Sequence, residues 1–196
     1  KITQWNFSDL NLENSVNHIK SNININKISK VKFNKIGKFK LIETDLLVNE
    51  KFIIFRDDKG SIIKFDKKKG LSWSANLYSK KERKNLMNIS LALSNNKVFV
   101  TDNLGKYYAL NLLNGDILWK KNNNLPFNSE LKVKENKLLS IDTDDVIHCY
   151  STKDGTEIWN FKTSSNFIKV LKRSSLVVLS DDVIFSNSIG DITKIN

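Results

Sequence analysis

The chain has 196 residues but only one cysteine, one proline, one methionine and two histidines. A single thiol, Cys149, excludes an intrachain disulfide framework and leaves the redox compartment open. His18 and His148 with one cysteine are too few for a transition-metal constellation. No glycine-rich phosphate loop is present, and no two carboxylates stand at a spacing that acid–base chemistry requires. No apolar run is long enough for a transmembrane helix, and neither a signal peptide nor a terminal lipidation motif is visible. Arginine is scarce as well. Arg56, Arg83 and Arg173 are the only three, so lysine carries nearly all of the net charge of +11. With 26 asparagines, this lysine-, asparagine- and isoleucine-rich composition reads first as the codon usage of an AT-rich genome. A surface selected for an anionic partner is the alternative. The basic runs Lys80–Lys84 and Lys67–Lys69 are not interleaved with stacking aromatics, so nucleic acid is not an expected partner.

What the chain does have is a repeat. Tyr108-Ala-Leu-Asn-Leu-Leu-Asn-Gly-Asp-Ile-Leu-Trp119 recurs as Cys149-Tyr-Ser-Thr-Lys-Asp-Gly-Thr-Glu-Ile-Trp159, with a looser copy at Lys64-Phe-Asp-Lys-Lys-Lys-Gly-Leu-Ser-Trp73. A second register agrees: Gly60, Gly105 and Gly190 open matching segments, and Asp145 takes the glycine's place in the third repeat. A period of about 40–45 residues with one Gly and one Trp per unit is the signature of a β-propeller, one four-stranded blade per repeat. In the third repeat the strands are expected at Glu130–Glu135, Lys137–Thr143, Val146–Ser151 and Glu157–Thr163.

Each Gly (Gly70, Gly115, Gly155) supplies the positive φ of a tight hairpin before the outer strand. Each Trp (Trp73, Trp119, Trp159) then offers a flat ring to the neighbouring blade and an indole N–H to a backbone carbonyl there. In the first copy the Gly–Trp spacing is one residue shorter, which implies a bulge or a differently aimed ring.

The blades are expected at 41–79, 86–125, 126–163 and 174–196, the last incomplete, since Asn196 aligns with Asn111. Thr3-Gln-Trp-Asn-Phe-Ser8 resembles Glu157-Ile-Trp-Asn-Phe-Lys162, so Trp5 reads as a closing outer strand, with an irregular connection running to residue 40. The favoured architecture is half of an eight-bladed all-β ring. A small four-bladed ring completed by Trp5 is the alternative.

Several groups could carry chemistry. His148 and Cys149 are adjacent, but neighbours on a strand point to opposite faces and cannot share a proton. The acidic groups Asp57-Asp58, Asp142/Asp144/Asp145 and Asp181-Asp182 read as one recurring hairpin tip favoured by turn chemistry, not as calcium sites. One connection is unusually apolar: Phe167, Ile168, Val170 and Leu171, followed by Lys172 and Arg173. It reads either as a protein-binding edge with a basic rim or as an extension of the inner strand into the core.

The motifs Ala109-x-Asn111-x-x-Asn114-Gly115-x-x-x-Trp119 and Asp154-Gly-Thr-Glu-Ile-Trp159 resemble the pyrroloquinoline-quinone-type propeller repeats. The resemblance covers Leu41 to Asn196. It is specific for the fold and weak for activity. Quinone-dependent dehydrogenases hold their cofactor and calcium on such a propeller, often under a vicinal cysteine pair. Here Cys149 is alone. The compact repeats are more similar to the non-enzymatic BamB branch. That branch implies a periplasmic scaffold at the outer membrane, bound to POTRA domains of a BamA-like protein, with no cofactor and a lipid anchor not visible here. It also implies a partner surface among inter-blade loops, with Phe167, Ile168, Val170, Leu171 and Arg173 as its candidates. A propeller sensor domain of a membrane receptor is a further alternative.

Overall fold

The computed structural model describes residues 6–7, 11–14, 45–163 and 172–196. These form four antiparallel meanders in chain order. The first contains β1 (Leu47–Val48), β2 (Phe52–Arg56), β3 (Ile62–Asp66) and β4 (Gly70–Ala75). The single helical turn α1 (Glu82–Asn85) leads into β5 (Ile89–Ser94), β6 (Lys97–Asp102), β7 (Lys106–Asn111) and β8 (Ile117–Asn122). The third holds β9 (Lys132–Lys134), β10 (Lys137–Ile141), β11 (Val146–Ser151) and β12 (Glu157–Lys162). The fourth has three strands, β13 (Leu176–Val178), β14 (Val183–Ser186) and β15 (Ile192–Ile195). This is a partial propeller.

The core is divided among three seams, because each sheet buries residues of alternate faces against a different neighbour. Ile54, Ile62 and Trp73 pack on Leu91, Val98, Val100, Tyr108 and Leu110. The other face of the second sheet sends Phe99, Tyr107 and Ala109 against Leu131, Val133, Leu138 and Tyr150. Leu139, Ile141, Ile147 and Cys149 meet Leu176, Val178 and Phe185. The middle strands β7 and β11 therefore carry four consecutive buried residues each, which is why they lack polar alternation.

All three complete outer strands are bulged at the same point, between Lys64 and Phe65, Ala109 and Leu110, and Cys149 and Tyr150. The bulge sets Trp73, Trp119 and Trp159 opposite Lys64, Ala109 and Cys149. The short Gly70–Trp73 spacing is absorbed in the hairpin loop, not in the aim of the ring.

The N-terminal residues lie along the inner edges of the sheets. Phe7 bridges Ala92 of β5, and Leu93 N–H donates to the Asn6 carbonyl. Val178 N–H donates to the Leu12 carbonyl. Lys132, with no exposed surface, directs its ammonium to the Asn11 carbonyl at 2.8 Å, to Asn14 Oδ1 and to Glu130 at 3.2 Å. Asn6 and Phe7 thus accompany an inner strand, whereas the sequence pattern around Trp5 suggested an outer one. Trp5 itself lies outside the described residues.

Candidate functional site

The alternation of strands gives the array two ends. At one end lie the hairpins from third to outer strand, which build the blade seams. The Trp73 indole N–H donates to the Leu112 carbonyl at 3.0 Å, and Lys64 Nζ donates to the same oxygen at 2.9 Å. The ring lies on Gly115, where a Cβ would fall 2.7 Å from Trp73 Cε3. One blade on, Trp119 Nε1 and Lys97 Nζ both donate to the Thr152 carbonyl, at 3.3 and 3.0 Å, and the ring covers Gly155. Gly115 and Gly155 have φ of 79° and 73°, so both the backbone and the close approach require glycine. Gly70, in the first sheet, has no atom of the described residues within 4 Å of a Cβ position. Trp159 is half-buried and borders an open cleft.

At the other end lie the inter-blade connections and the hairpins from second to third strand. Those hairpins share one device. Asp57, Asp102, Asp142 and Asn187 each accept two backbone N–H groups of their own turn through Oδ1. Asp145 replaces glycine at φ 61°, a value aspartate tolerates, and its carboxylate takes Ser188 N–H at 2.9 Å. Asp181-Asp182 belongs to a different hairpin, between β13 and β14, so the acidic groups do not all mark one turn. The fourth repeat uses Asn187 instead. Two further contacts hold the connection from the first to the second sheet. Tyr78 donates to Asp102 at 2.7 Å, and Arg56 donates to the Met87 carbonyl at 3.1 Å. Burial raises the Asp102 carboxyl above its ordinary range, against the hydrogen bonds it accepts.

Arg173 has a structural task at this end. Its guanidinium donates to Ser90 Oγ at 2.6 Å and to the Ser129 carbonyl at 3.5 Å, and it stands 4.0 Å from Asp45. It ties together the entries to the first, second and third sheets, on a residue that the sequence reading placed on the basic rim of a partner-binding edge. Phe167, Ile168, Val170 and Leu171 lie outside the described residues.

His148 and Cys149 do point apart. Burial pushes the Cys149 thiol up to about 11, which keeps it protonated among apolar side chains. His148 joins Asp142 through Nε2 at 3.0 Å and Glu157 through Nδ1 at 2.7 Å, and stacks on Tyr150 at 5.6 Å. Burial alone would lower its pKa, but the two carboxylates outweigh that and raise it. Sequence alignment with Tyr108 concealed this bridge; the only signal was a histidine with a carboxylate on each flanking turn. Among the described residues, no three His, Cys, Asp or Glu side chains converge as metal ligands, and no helix is long and apolar enough to cross a membrane.

The comparisons bear on this arrangement directly. The family model described as "Outer membrane protein assembly factor BamB" matches residues 58–196. The chain belongs to the BamB family. A search of curated proteins gives no match. Among solved structures, BamB from Moraxella catarrhalis aligns at 17% identity and a TM-score of 0.60, over 74% of this chain and 46% of that one. The chain thus spans about half the length of that BamB. The computationally designed Ika4 protein aligns at 12% identity and a TM-score of 0.62, over 84% of this chain and 98% of that one. A europium-containing methanol dehydrogenase gives 16% identity and a TM-score of 0.64, over 84% of this chain and 33% of that one. At these identities the neighbours share the propeller fold. Both BamB and dehydrogenase propellers are among them.

Proposed function

We propose that this BamB-family chain is a non-enzymatic protein-binding scaffold, a component of outer-membrane β-barrel assembly in the periplasm. Its partner is a protein, namely POTRA domains of a BamA-like protein. The observation that carries this reading is the family match over residues 58–196. The geometry is in keeping with it. The inter-blade end is held by Asp102, Arg56 and Arg173, so the connections there are displayed on a rigid base. Partner contact falls to Phe167, Ile168, Val170 and Leu171, the apolar connection that ends on Arg173. Arg173, half-exposed beside its contacts with Ser90 and Ser129, is the fifth candidate contact. The second reading, a quinone-dependent oxidoreductase, draws on the dehydrogenase propellers among the structural neighbours, a quinohemoprotein alcohol dehydrogenase and the methanol dehydrogenase.

The test is binding of purified POTRA domains to the chain, with Leu171→Asp as the variant. Binding should weaken at least tenfold while the thermal midpoint stays near wild type. A large loss of stability would place Leu171 in the core, and unchanged binding would end the assignment of that connection. Saturable binding of pyrroloquinoline quinone with calcium would favour the second reading.

A further inference from the structure

The connection from the first to the second sheet carries the densest basic run of the chain, Lys80-Lys-Glu-Arg-Lys84. Lys80 and Lys81 lead into α1, and Arg83 and Lys84 lie on it, at the inter-blade end of the array. Lys80, Lys81 and Lys84 are exposed, and their ammonium groups make no hydrogen bond or ion pair among the described residues. The one acidic residue of the run, Glu82, is engaged locally. Ser79 N–H donates to its Oε2 at 2.8 Å, and Lys106 pairs with its Oε1. Glu82 therefore offsets Lys106 and leaves the three lysines uncompensated.

A fourth lysine stands beside them. Lys59 is exposed on the hairpin between β2 and β3. That hairpin packs on the same connection, since a Cβ on Gly60 would fall 2.3 Å from Leu86 Cδ2 and 2.8 Å from Tyr78 Cδ2. Of the two carboxylates there, Asp57 directs Oδ1 to the N–H groups of its own turn, and Asp58 offsets one charge. Arg83 adds a fifth cation, held in place as its Nε donates to the Tyr78 carbonyl at 3.1 Å.

Three residues beyond Lys84, Met87 is 70% exposed. Its backbone is fixed on both sides. Its N–H donates to Asn103 Oδ1 at 2.8 Å, and its carbonyl accepts from Arg56 at 3.1 Å. The fold thus presents an apolar side chain to solvent from an anchored position within a basic cluster. This pairing selects among anionic partners. The free cations are lysines, which act as mobile point charges and do not impose the bidentate geometry of an arginine fork. They suit a diffuse sheet of phosphate groups. Methionine is flexible and needs no shaped pocket, so the hydrocarbon boundary below such a sheet accepts it.

We propose that Lys59, Lys80, Lys81, Lys84 and Met87 form a docking surface for an anionic phospholipid bilayer. The lysines lie against the headgroups and Met87 enters the interface between them. The surface does not depend on the BamB reading, and it sets the inter-blade end toward the membrane.

The test is sedimentation of the 196-residue chain with vesicles of phosphatidylcholine and phosphatidylglycerol in equal parts, against vesicles of phosphatidylcholine alone. Binding is expected to the first and not to the second. Each lysine at such a surface strengthens binding about fivefold, so the combined Lys80→Ala, Lys81→Ala and Lys84→Ala variant should bind about a hundredfold more weakly. The combined Lys67→Ala, Lys68→Ala and Lys69→Ala variant removes the same charge from an exposed hairpin at the opposite end and should bind as wild type does. Met87→Ser should weaken vesicle binding by about tenfold, while its elution from a heparin column stays unchanged. All of these side chains are exposed, and circular dichroism checks each variant. No binding to the anionic vesicles overturns the proposal. Equal losses from the two triple variants do so too, because net charge and not a site would then be at work. Unchanged vesicle binding by Met87→Ser also overturns it, since the cluster would then serve a soluble polyanion or an acidic protein.

Discussion

Replacing Gly115 by alanine isolates the contact that joins one blade to the next. Two costs are expected. The residue sits at φ 79°, and a left-handed conformation costs a residue with a Cβ about 1–2 kcal/mol. The new Cβ would also stand 2.7 Å from Cε3 and 2.8 Å from Cδ2 of Trp73. The ring cannot swing away, since its indole N–H is tied to Leu112 and Trp73 is buried. Overpacking of this kind costs about 1–3 kcal/mol. Gly70→Ala is the matched control. It occupies the same turn of the first repeat at φ 89°, with no atom of the described residues within 4 Å of the new one, so the backbone cost alone is expected. Urea unfolding should show Gly115→Ala destabilised by about 1–3 kcal/mol more than Gly70→Ala, with unchanged m-values. Pairing Gly115→Ala with Trp73→Leu should remove the difference, since a double-mutant cycle reports direct contact. Equal losses at Gly70 and Gly115 would refute the seam as described.

Two other outcomes are expected. The His148 pKa is raised in the folded chain, so its bridge stabilises fully below the unfolded value of about 6.5 and is lost as pH rises through the folded value. The urea midpoint of wild type should therefore fall with rising pH above about 6.5 relative to His148→Tyr, and parallel profiles would refute the bridge. Lys132→Met leaves Glu130 without its buried cation and should cost about 3–5 kcal/mol by the same assay, with part recovered in the double variant with Glu130→Gln. A loss below about 1 kcal/mol would mean the ammonium is not holding the N-terminal residues.

The blade repeat was legible because its signals are local. A glycine at positive φ and a Trp three or four residues later are set by turn and bulge geometry, and the pair recurs in each of the first three repeats. The positions of Trp73 and Trp119 follow from that. Arg173 was not legible. A basic residue after an apolar connection looks the same whether it faces solvent or turns inward onto Ser90 and Ser129. Only the tertiary arrangement of the inner strands decides between them. Lys132 shows the same limit, since a lysine in a short strand gives no sign that Asn11, Asn14 and Glu130 will enclose it. Asn6 and Phe7 match an outer strand in sequence yet accompany β5. Backbone pairing is nearly blind to side-chain identity, and the β5 edge offers the same ladder.

The two ends of the array use different chemistry, and this bears on the proposed scaffold role. Glycine, tryptophan and lysine build the seams at one end, with ring contacts that tolerate almost no substitution. Carboxylate turns and inter-blade connections occupy the other, where Asp57, Asp102, Asp142 and Asn187 secure their own backbones through Oδ1, and Asp102 also holds Tyr78 of the neighbouring connection through Oδ2. The connections can therefore change length and composition while the hairpins that support them stay closed. Leu125 lies exposed in one such connection and Met87 in another, neither contributing to a seam. A binding surface made of these connections inherits its rigidity from the sheets below and its specificity from residues that the fold does not need.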